Sequence, residues 1–136
     1  MDGEVTLRFD GSSTKNGSGC GYVLLAKSGK VIERGHKECG AATCNEAEYY
    51  GLILGLERAR ANGFSHVSAE GDSMLICCQV SGKWKINHSR LAALRSQVLA
   101  TAPKEFSISY IPRELNAIAD SEARYASSTH TDGIAH

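Results

Sequence analysis

Four acidic residues sit where a carboxylate is hard to explain as solvated surface. Asp10 closes a run in which Val5, Leu7 and Phe9 alternate with polar neighbours, and Asp72 closely follows a second short run, residues 66–70. Glu48 lies in the opening turns of a helical segment among Ala47, Tyr49 and Tyr50, and Asp120 lies among Ala117, Ile118, Ala119 and Ala123. A carboxylate surrounded by small apolar residues is costly if it is buried without a partner. Carboxylates gathered at one place repel unless a cation or a proton stands between them. An all-oxygen donor set with no supporting cysteine or histidine pair suits a hard divalent ion, Mg²⁺ or Mn²⁺, rather than zinc. Carboxylates that hold two such ions serve phosphoryl transfer, one ion activating water and the other stabilising the leaving oxygen. Turn capping by Asp10-Gly11-Ser12 and helix-dipole stabilisation by Glu48 are the plainer alternatives, and spacing alone leaves them open.

The elements that must position these acids can be read from periodicity. The alternation up to Asp10 is a strand, and residues 11–19 read as loop by composition. Residues 20–26 and 31–38 flank Lys27-Ser28-Gly29-Lys30 as a hairpin. Thr43-Cys44-Asn45-Glu46 fits a capping box, with Thr43 as N-cap and Glu46 as its exposed acid. Ala47, Tyr50, Leu54 and Ala61 recur near helical spacing, and Asn62-Gly63 is a C-terminal stop. A strand over residues 66–70, helical stretches near 73–80 and 89–100, and a strand carrying Phe106, Ile108 and Tyr110 follow. The last helix is expected from about Asn116 to Ala126. The order β-β-β-α-β-α-α-β-α implies an α/β fold with a mixed sheet of about five strands. In such a sheet ligands bind at the strand ends, where Asp10 and Asp72 fall.

The chain has 136 residues, 42% hydrophobic, with 15 Lys+Arg balanced by 15 Asp+Glu. This suits one domain, expected over residues 1–127 with a flexible tail at 128–136. No apolar run approaches the ~18 residues of a membrane span, so no membrane partner is expected. Five cysteines without a secretory signal point to reduced thiols and a cytoplasmic location. The glycine-rich stretch Gly17-Ser18-Gly19-Cys20-Gly21 fails as a dinucleotide fingerprint because Tyr22 stands where its third glycine belongs, and no P-loop occurs. Charge neutrality argues against holding nucleic acid by bulk field alone. Locally the balance differs, since Ser73 through Lys104 contains no acid but carries Lys83, Lys85, Arg90, Arg95 and Lys104. That stretch could meet a phosphate backbone, Lys83 and Lys85 foremost, with Trp84 expected to pack between them.

Four motifs in order carry a resemblance to type 1 ribonuclease H. They are Phe9-Asp10-Gly11-Ser12, Thr43-Cys44-Asn45-Glu46-Ala47-Glu48, Gly71-Asp72-Ser73 and Asn116-Ala117-Ile118-Ala119-Asp120. With Pro112-Arg113-Glu114-Leu115 before the last of them, the chain is similar to the reverse-transcriptase-like, plant and prokaryotic branch from about Val5 to Ala126. The basic extension of some bacterial relatives is missing.

The resemblance implies a ribonuclease H-like mixed five-stranded sheet with helices on both faces. It also implies endonucleolytic hydrolysis of the RNA strand of RNA–DNA hybrids to 5′-phosphate and 3′-hydroxyl products. Asp10, Glu48, Asp72 and Asp120 would then be the catalytic and metal-binding carboxylates for two Mg²⁺ (or Mn²⁺) ions. One ion would sit with Asp10 and either Asp72 or Asp120, the other with Asp10 and Glu48. Gly11, Ser12, Thr43, Asn45, Ser73 and Asn116 would be substrate contacts, Thr43 at a phosphate, reading the 2′-hydroxyl in the wide minor groove. An RNA–DNA hybrid is the expected partner, double-stranded RNA a further candidate, and the protein is expected to be a monomer. Two departures stand out. The loop before the last helix has no histidine, leaving Arg113 for product release, and Met74 replaces a polar glutamine of some relatives. Two alternatives are a catalytically silent hybrid- or duplex-binding module and a related Mg²⁺-dependent nuclease acting on other nucleic-acid structures.

Overall fold

A computed structural model describes residues 3–132. Strands β1 (Glu4–Thr14), β2 (Gly17–Leu25) and β3 (Val31–Gly40) precede helix α1 (Cys44–Ala61). Strand β4 (His66–Gly71), helices α2 (Met74–Ser81) and α3 (Ser89–Thr101) and strand β5 (Glu105–Tyr110) follow. A 3₁₀ turn (Arg113–Leu115) then leads into helix α4 (Ala117–Asp132). The sheet order is β3-β2-β1-β4-β5. The first three strands form an antiparallel meander, while β4 pairs parallel to β1 and β5 parallel to β4. This is the expected mixed five-stranded α/β sheet. Among the described residues no helix is long and apolar enough to cross a membrane.

The segment 11–19, expected as loop, is sheet instead. Thr14 pairs with Gly17, so only Lys15 and Asn16 turn the chain, and Gly11, Ser12 and Ser13 lie within the ladder. Glycine and serine are there because helices press on both faces, and a strand glycine marks a close approach of another backbone. A Cβ added at Gly11 would lie 2.4 Å from the Glu48 nitrogen. On α4, one at Gly19 would lie 2.5 Å from the Ala126 Cβ and one at Gly21 2.5 Å from the Ala119 carbonyl oxygen.

Helix α1 shows the same logic. Its sheet-facing stripe is Ala47, Gly51 and Gly55: a Cβ at Gly51 would meet the Asp10 carbonyl oxygen at 2.6 Å, and one at Gly55 the Leu7 side chain at 2.3 Å. Of the stripe expected from hydrophobicity only Ala47 is buried. Tyr50 and Leu54 are half-buried and Ala61 is exposed. Glycines contribute nothing to an apolar pattern, so periodicity followed the wrong face. Leu52 and Leu56 fill the core with Leu7, Phe9, Leu24, Ile76 and Val98, and the buried Tyr49 donates its hydroxyl to Gln79 Oε1 at 2.8 Å.

The capping box is present: the Glu46 amide donates to Thr43 Oγ1 (3.1 Å) and the Thr43 amide to Glu46 Oε1 (2.9 Å). Glu46 is nonetheless buried, because Arg90 of α3 reaches across to its carboxylate at 3.0 Å. Helix α4 runs past Ala126 to Asp132, so residues 128–132 of the expected tail continue the helix and 133–136 lie outside the described residues.

The close approach of α1 can be tested by filling it. Gly51→Ala should destabilise the protein by about 1–3 kcal/mol, the usual cost of overpacking. The measurement is urea unfolding with the m-value unchanged, and wild-type stability would show that the helix has room to move away.

Candidate metal centre

Asp10 is placed by β1, Glu48 by the first turns of α1, and Asp72 by the junction between β4 and the Ser73 cap of α2. One carboxylate oxygen from each lies within 4.8 Å of the others. Asp10 and Glu48 are buried, at 5% and 8% exposure, while Asp72 is half-buried. The Gly11 amide donates to Asp10 Oδ1 at 2.9 Å.

Holding three like charges this close in a partly dry site has a direct electrostatic result. Burial, then the Asp10 charge, pushes the Glu48 carboxyl up to about 10. Burial lifts Asp10 to about 7 against the opposing bond from Glu48, with the Asp72 charge adding to the rise. Without a cation, therefore, Glu48 keeps its proton at neutral pH and donates it toward Asp10. Glu48 Oε1 is buried with no hydrogen-bond partner among the described residues. Three convergent carboxylates and an orphaned buried oxygen fit a hard divalent cation.

Asp120 stands apart from this group. The Arg124 Nε lies 3.2 Å from its Oδ1 and 3.1 Å from its Oδ2, one turn along α4. It still reaches Asp10, where it adds to the upward pressure on that carboxyl. Of the four acids expected together, the structure joins three and pairs the fourth with a neighbouring guanidinium.

The six expected substrate contacts divide sharply. Thr43 and Asn45 are exposed at the start of α1, and Thr43 borders a cleft of about 340 Å³ shared with Thr14, Asn16 and Gly40. Gly11 and Ser12 are half-buried, Ser12 Oγ lying 3.1 Å from Ser127 Oγ. The Ser73 hydroxyl accepts from the Ile76 amide at 3.3 Å and is committed to capping α2. Asn116 is a correction: it is completely buried and cannot face a substrate. Its Nδ2 donates to the Phe9 carbonyl (2.9 Å) and to Asp72 Oδ2 (3.1 Å), tying the start of α4 to β1 and aiming the third carboxylate.

Nothing in the sequence marked that positioning role, because the partners are 107 and 44 positions away. The same is true of Arg8, whose Nη1 donates to the Leu115 carbonyl at 2.8 Å while its Nε pairs with Glu70 at 2.9 Å, anchoring the turn that carries Arg113. Arg113 itself is exposed.

The basic stretch is also redistributed. Arg90 is spent on Glu46, and Arg95 donates to the Gln79 and Val80 carbonyls at 2.7 and 3.2 Å, closing the end of α2. Lys83 and Lys85 are exposed in the link between α2 and α3. Trp84, expected to pack, is 47% exposed between them.

A reverse transcriptase-like family model matches residues 8–126, a span that contains all four acids. The chain belongs to the type 1 ribonuclease H family. Ribonuclease HI of Halobacterium salinarum is 37% identical over 128 residues, covering 91% of this chain and 64% of that protein. The N-terminal RNase H domain of the bifunctional Mycobacterium tuberculosis protein superposes with a TM-score of 0.90 at 32% identity, covering 97% of this chain and 99% of that one. LC11-RNase H1, solved in complex with an RNA/DNA hybrid, superposes with a TM-score of 0.86 at 26% identity, over 91% and 96% of the two chains. The chain thus spans about two thirds of the halobacterial relative, 64%, and 34% of the full-length mycobacterial one.

As a ribonuclease H-family domain with raised carboxylates, the metal-free protein should lose stability as pH rises. The unfolded chain releases these protons near 3.8 and 4.5, whereas the folded state keeps them up to about 7 and about 10. The folded state therefore binds more protons across that window, and the slope of stability with pH is negative there. Thermal melts in EDTA should show the melting temperature falling between about pH 5 and pH 8, and Glu48→Gln should flatten the slope. A wild-type profile that rises over the same range would contradict the burial of these acids.

Proposed function

We propose that this chain is a metal-dependent endonuclease that hydrolyses the RNA strand of RNA–DNA hybrids, leaving 5′-phosphate and 3′-hydroxyl ends. The observation that carries the reading is the convergence of Asp10, Glu48 and Asp72 around the unpartnered Glu48 Oε1. A pure binding module gains nothing from repelling phosphates at its centre. The family membership and the hybrid held by LC11-RNase H1 support the choice of substrate.

Asp10, Glu48 and Asp72 would hold Mg²⁺ or Mn²⁺, two ions in this reading, with Asp120 available once Arg124 releases it. When bound, the ions supply the Lewis acidity that activates water and offsets charge on the leaving 3′-oxygen. The chain's own groups prepare that chemistry. The Gly11 amide fixes the rotation of Asp10, and Asn116 fixes that of Asp72, so neither carboxylate must reorganise when charge develops. Glu48 would give up its proton on holding a cation, so that the site would be fully anionic only when occupied.

In this reading Thr43 and Asn45, exposed at the start of α1, contact the backbone of a substrate, as do the half-buried Gly11 and Ser12. Lys83 and Lys85 provide exposed phosphate-facing charge, and Trp84 a flat apolar surface for a sugar. Arg113 carries a fixed positive charge that cannot serve as a base but can draw the product phosphate outward. We further propose a monomeric, cytoplasmic protein, with double-stranded RNA as a second duplex substrate.

Labelled RNA–DNA, RNA–RNA and DNA–DNA duplexes incubated with Mg²⁺, Mn²⁺ or EDTA separate the readings. Metal-dependent cutting of the RNA strand in the hybrid, lost in Asp10→Asn, is expected. Binding without cutting would make the chain a silent module, and cutting of DNA alone would make it a different nuclease. Lys83→Ala with Lys85→Ala should lower the slope of log affinity against log salt by about two, one per phosphate contact removed. Arg113→Ala should slow steady-state turnover more than it weakens hybrid binding, and unchanged turnover would remove Arg113 from the mechanism.

A further inference from the structure

A second group of reactive side chains lies outside the acidic centre, where β2 meets β3. Cys20 pairs with Lys37 and Gly19 with Glu38, but the next pair is Ser18 with Gly40. Cys39 is therefore the extra residue of a bulge, and a bulge re-aims the side chain it carries. The Cys39 side chain thereby falls next to that of Cys20 across the two strands, and its thiol donates to the Lys37 carbonyl at 3.6 Å. Both cysteines are free.

Their surroundings differ in the way a nucleophile and its resolving partner differ. Cys20 is fully buried. Cys39 is half-buried and lines a surface cavity of about 290 Å³ with Lys37, Glu38, Glu57, Tyr50 and Leu54. The neighbouring Cys39 sulfur, then burial, holds the Cys20 thiol far above its ordinary range. The neighbouring Cys20 thiol, then the Lys37 charge, draws Cys39 downward despite its partial burial. A cysteine beside a cation and reachable from solvent is more reactive than one shut inside the core. Cys77 is the contrast, buried and pushed up to about 11 by its burial.

We propose that Cys39 and Cys20 form a redox-active dithiol, in which Cys39 attacks a small peroxide entering the cavity and Cys20 resolves the product as an intramolecular disulfide. In the first step the Cys39 sulfur bonds to one peroxide oxygen and the O–O bond breaks. Hydroxide leaves and takes up a proton as water, and Cys39 becomes a sulfenic acid, oxidised by two electrons while the peroxide is reduced. In the second step the Cys20 sulfur attacks Cys39, the S–O bond breaks, and the hydroxyl departs with the Cys20 proton as a second water. Two thiols and hydrogen peroxide thus give one disulfide and two waters. The bulge and the cavity already bring the two cysteines together beside an opening to solvent. None of this depends on the nuclease reading, since neither sulfur touches the three acids.

The test uses the reduced full chain, treated with a slight excess of hydrogen peroxide, alkylated, digested and mapped by mass without reduction. Expected are one cross-linked peptide pair joining Cys20 to Cys39, two of the five thiols lost to alkylation, and full recovery in dithiothreitol. Cys39→Ser should leave the remaining thiols reduced under the same dose. Cys20→Ala should strand Cys39 as a sulfenic acid that dimedone traps. If that variant fails to fold, the wild-type map alone decides. Cys39 still alkylated after the exposed Cys44 has been oxidised, or a disulfide joining any other pair, would overturn the proposal.

Discussion

The structure depends on the backbone of α1 lying directly against β1 with no side chain between them. Gly11 on the strand and Gly51 on the helix make this possible, since a methyl group at either would overlap backbone atoms at 2.4 or 2.6 Å. That contact brings Glu48 to Asp10. On the other face α4 closes on Gly19 and Gly21 in the same manner, and its first residues bring Asn116 under Asp72. A sheet covered by large side chains would set both helices further out and the three carboxylates would separate. The small residues of the first hairpin are therefore what assembles the site.

The consequence is a region that opposes the stability of the fold around it. Two carboxyls are buried, a third faces them, and two buried oxygens, Glu48 Oε1 and Asn116 Oδ1, have no partner among the described residues. Such an arrangement persists only because the surrounding core over-determines it, here the Leu7, Phe9, Leu52 and Leu56 packing beneath. The protonated Glu48 is the resting compromise, and a divalent cation relieves the same repulsion without the proton. Arg124 performs a smaller version of that service for Asp120, keeping a fourth acid near the centre without adding it to the cluster.

Much of this was legible in the sequence. The acids announced themselves by sitting among small apolar residues, the capping box fixed the start of α1, and the alternating runs and helical stretches gave the order of elements. What could not be read has common physical causes. Glycine packing leaves no hydrophobic signal, so the sheet face of α1 and the strand character of residues 11–14 were hidden. Long-range hydrogen bonds leave no local pattern, so Asn116 resembled a surface contact when it is an internal strut. Charge in a sequence does not say which cations are already engaged: Arg90 pairs with Glu46 and Arg95 closes the end of α2, while Lys83, Lys85 and Lys104 present their charge to solvent. Helix α4 continues to Asp132 through a serine- and threonine-rich segment that composition alone reads as tail.

Forced proximity keeps a proton on the carboxylate cluster until a cation replaces it. Calorimetric titration of Mg²⁺ or Mn²⁺ near pH 7.5, in buffers of different ionisation enthalpy, measures that exchange directly. The expected result is release of about one proton per protein on binding, largely lost in Glu48→Gln. Cation binding with no proton release by the wild-type protein would contradict the account.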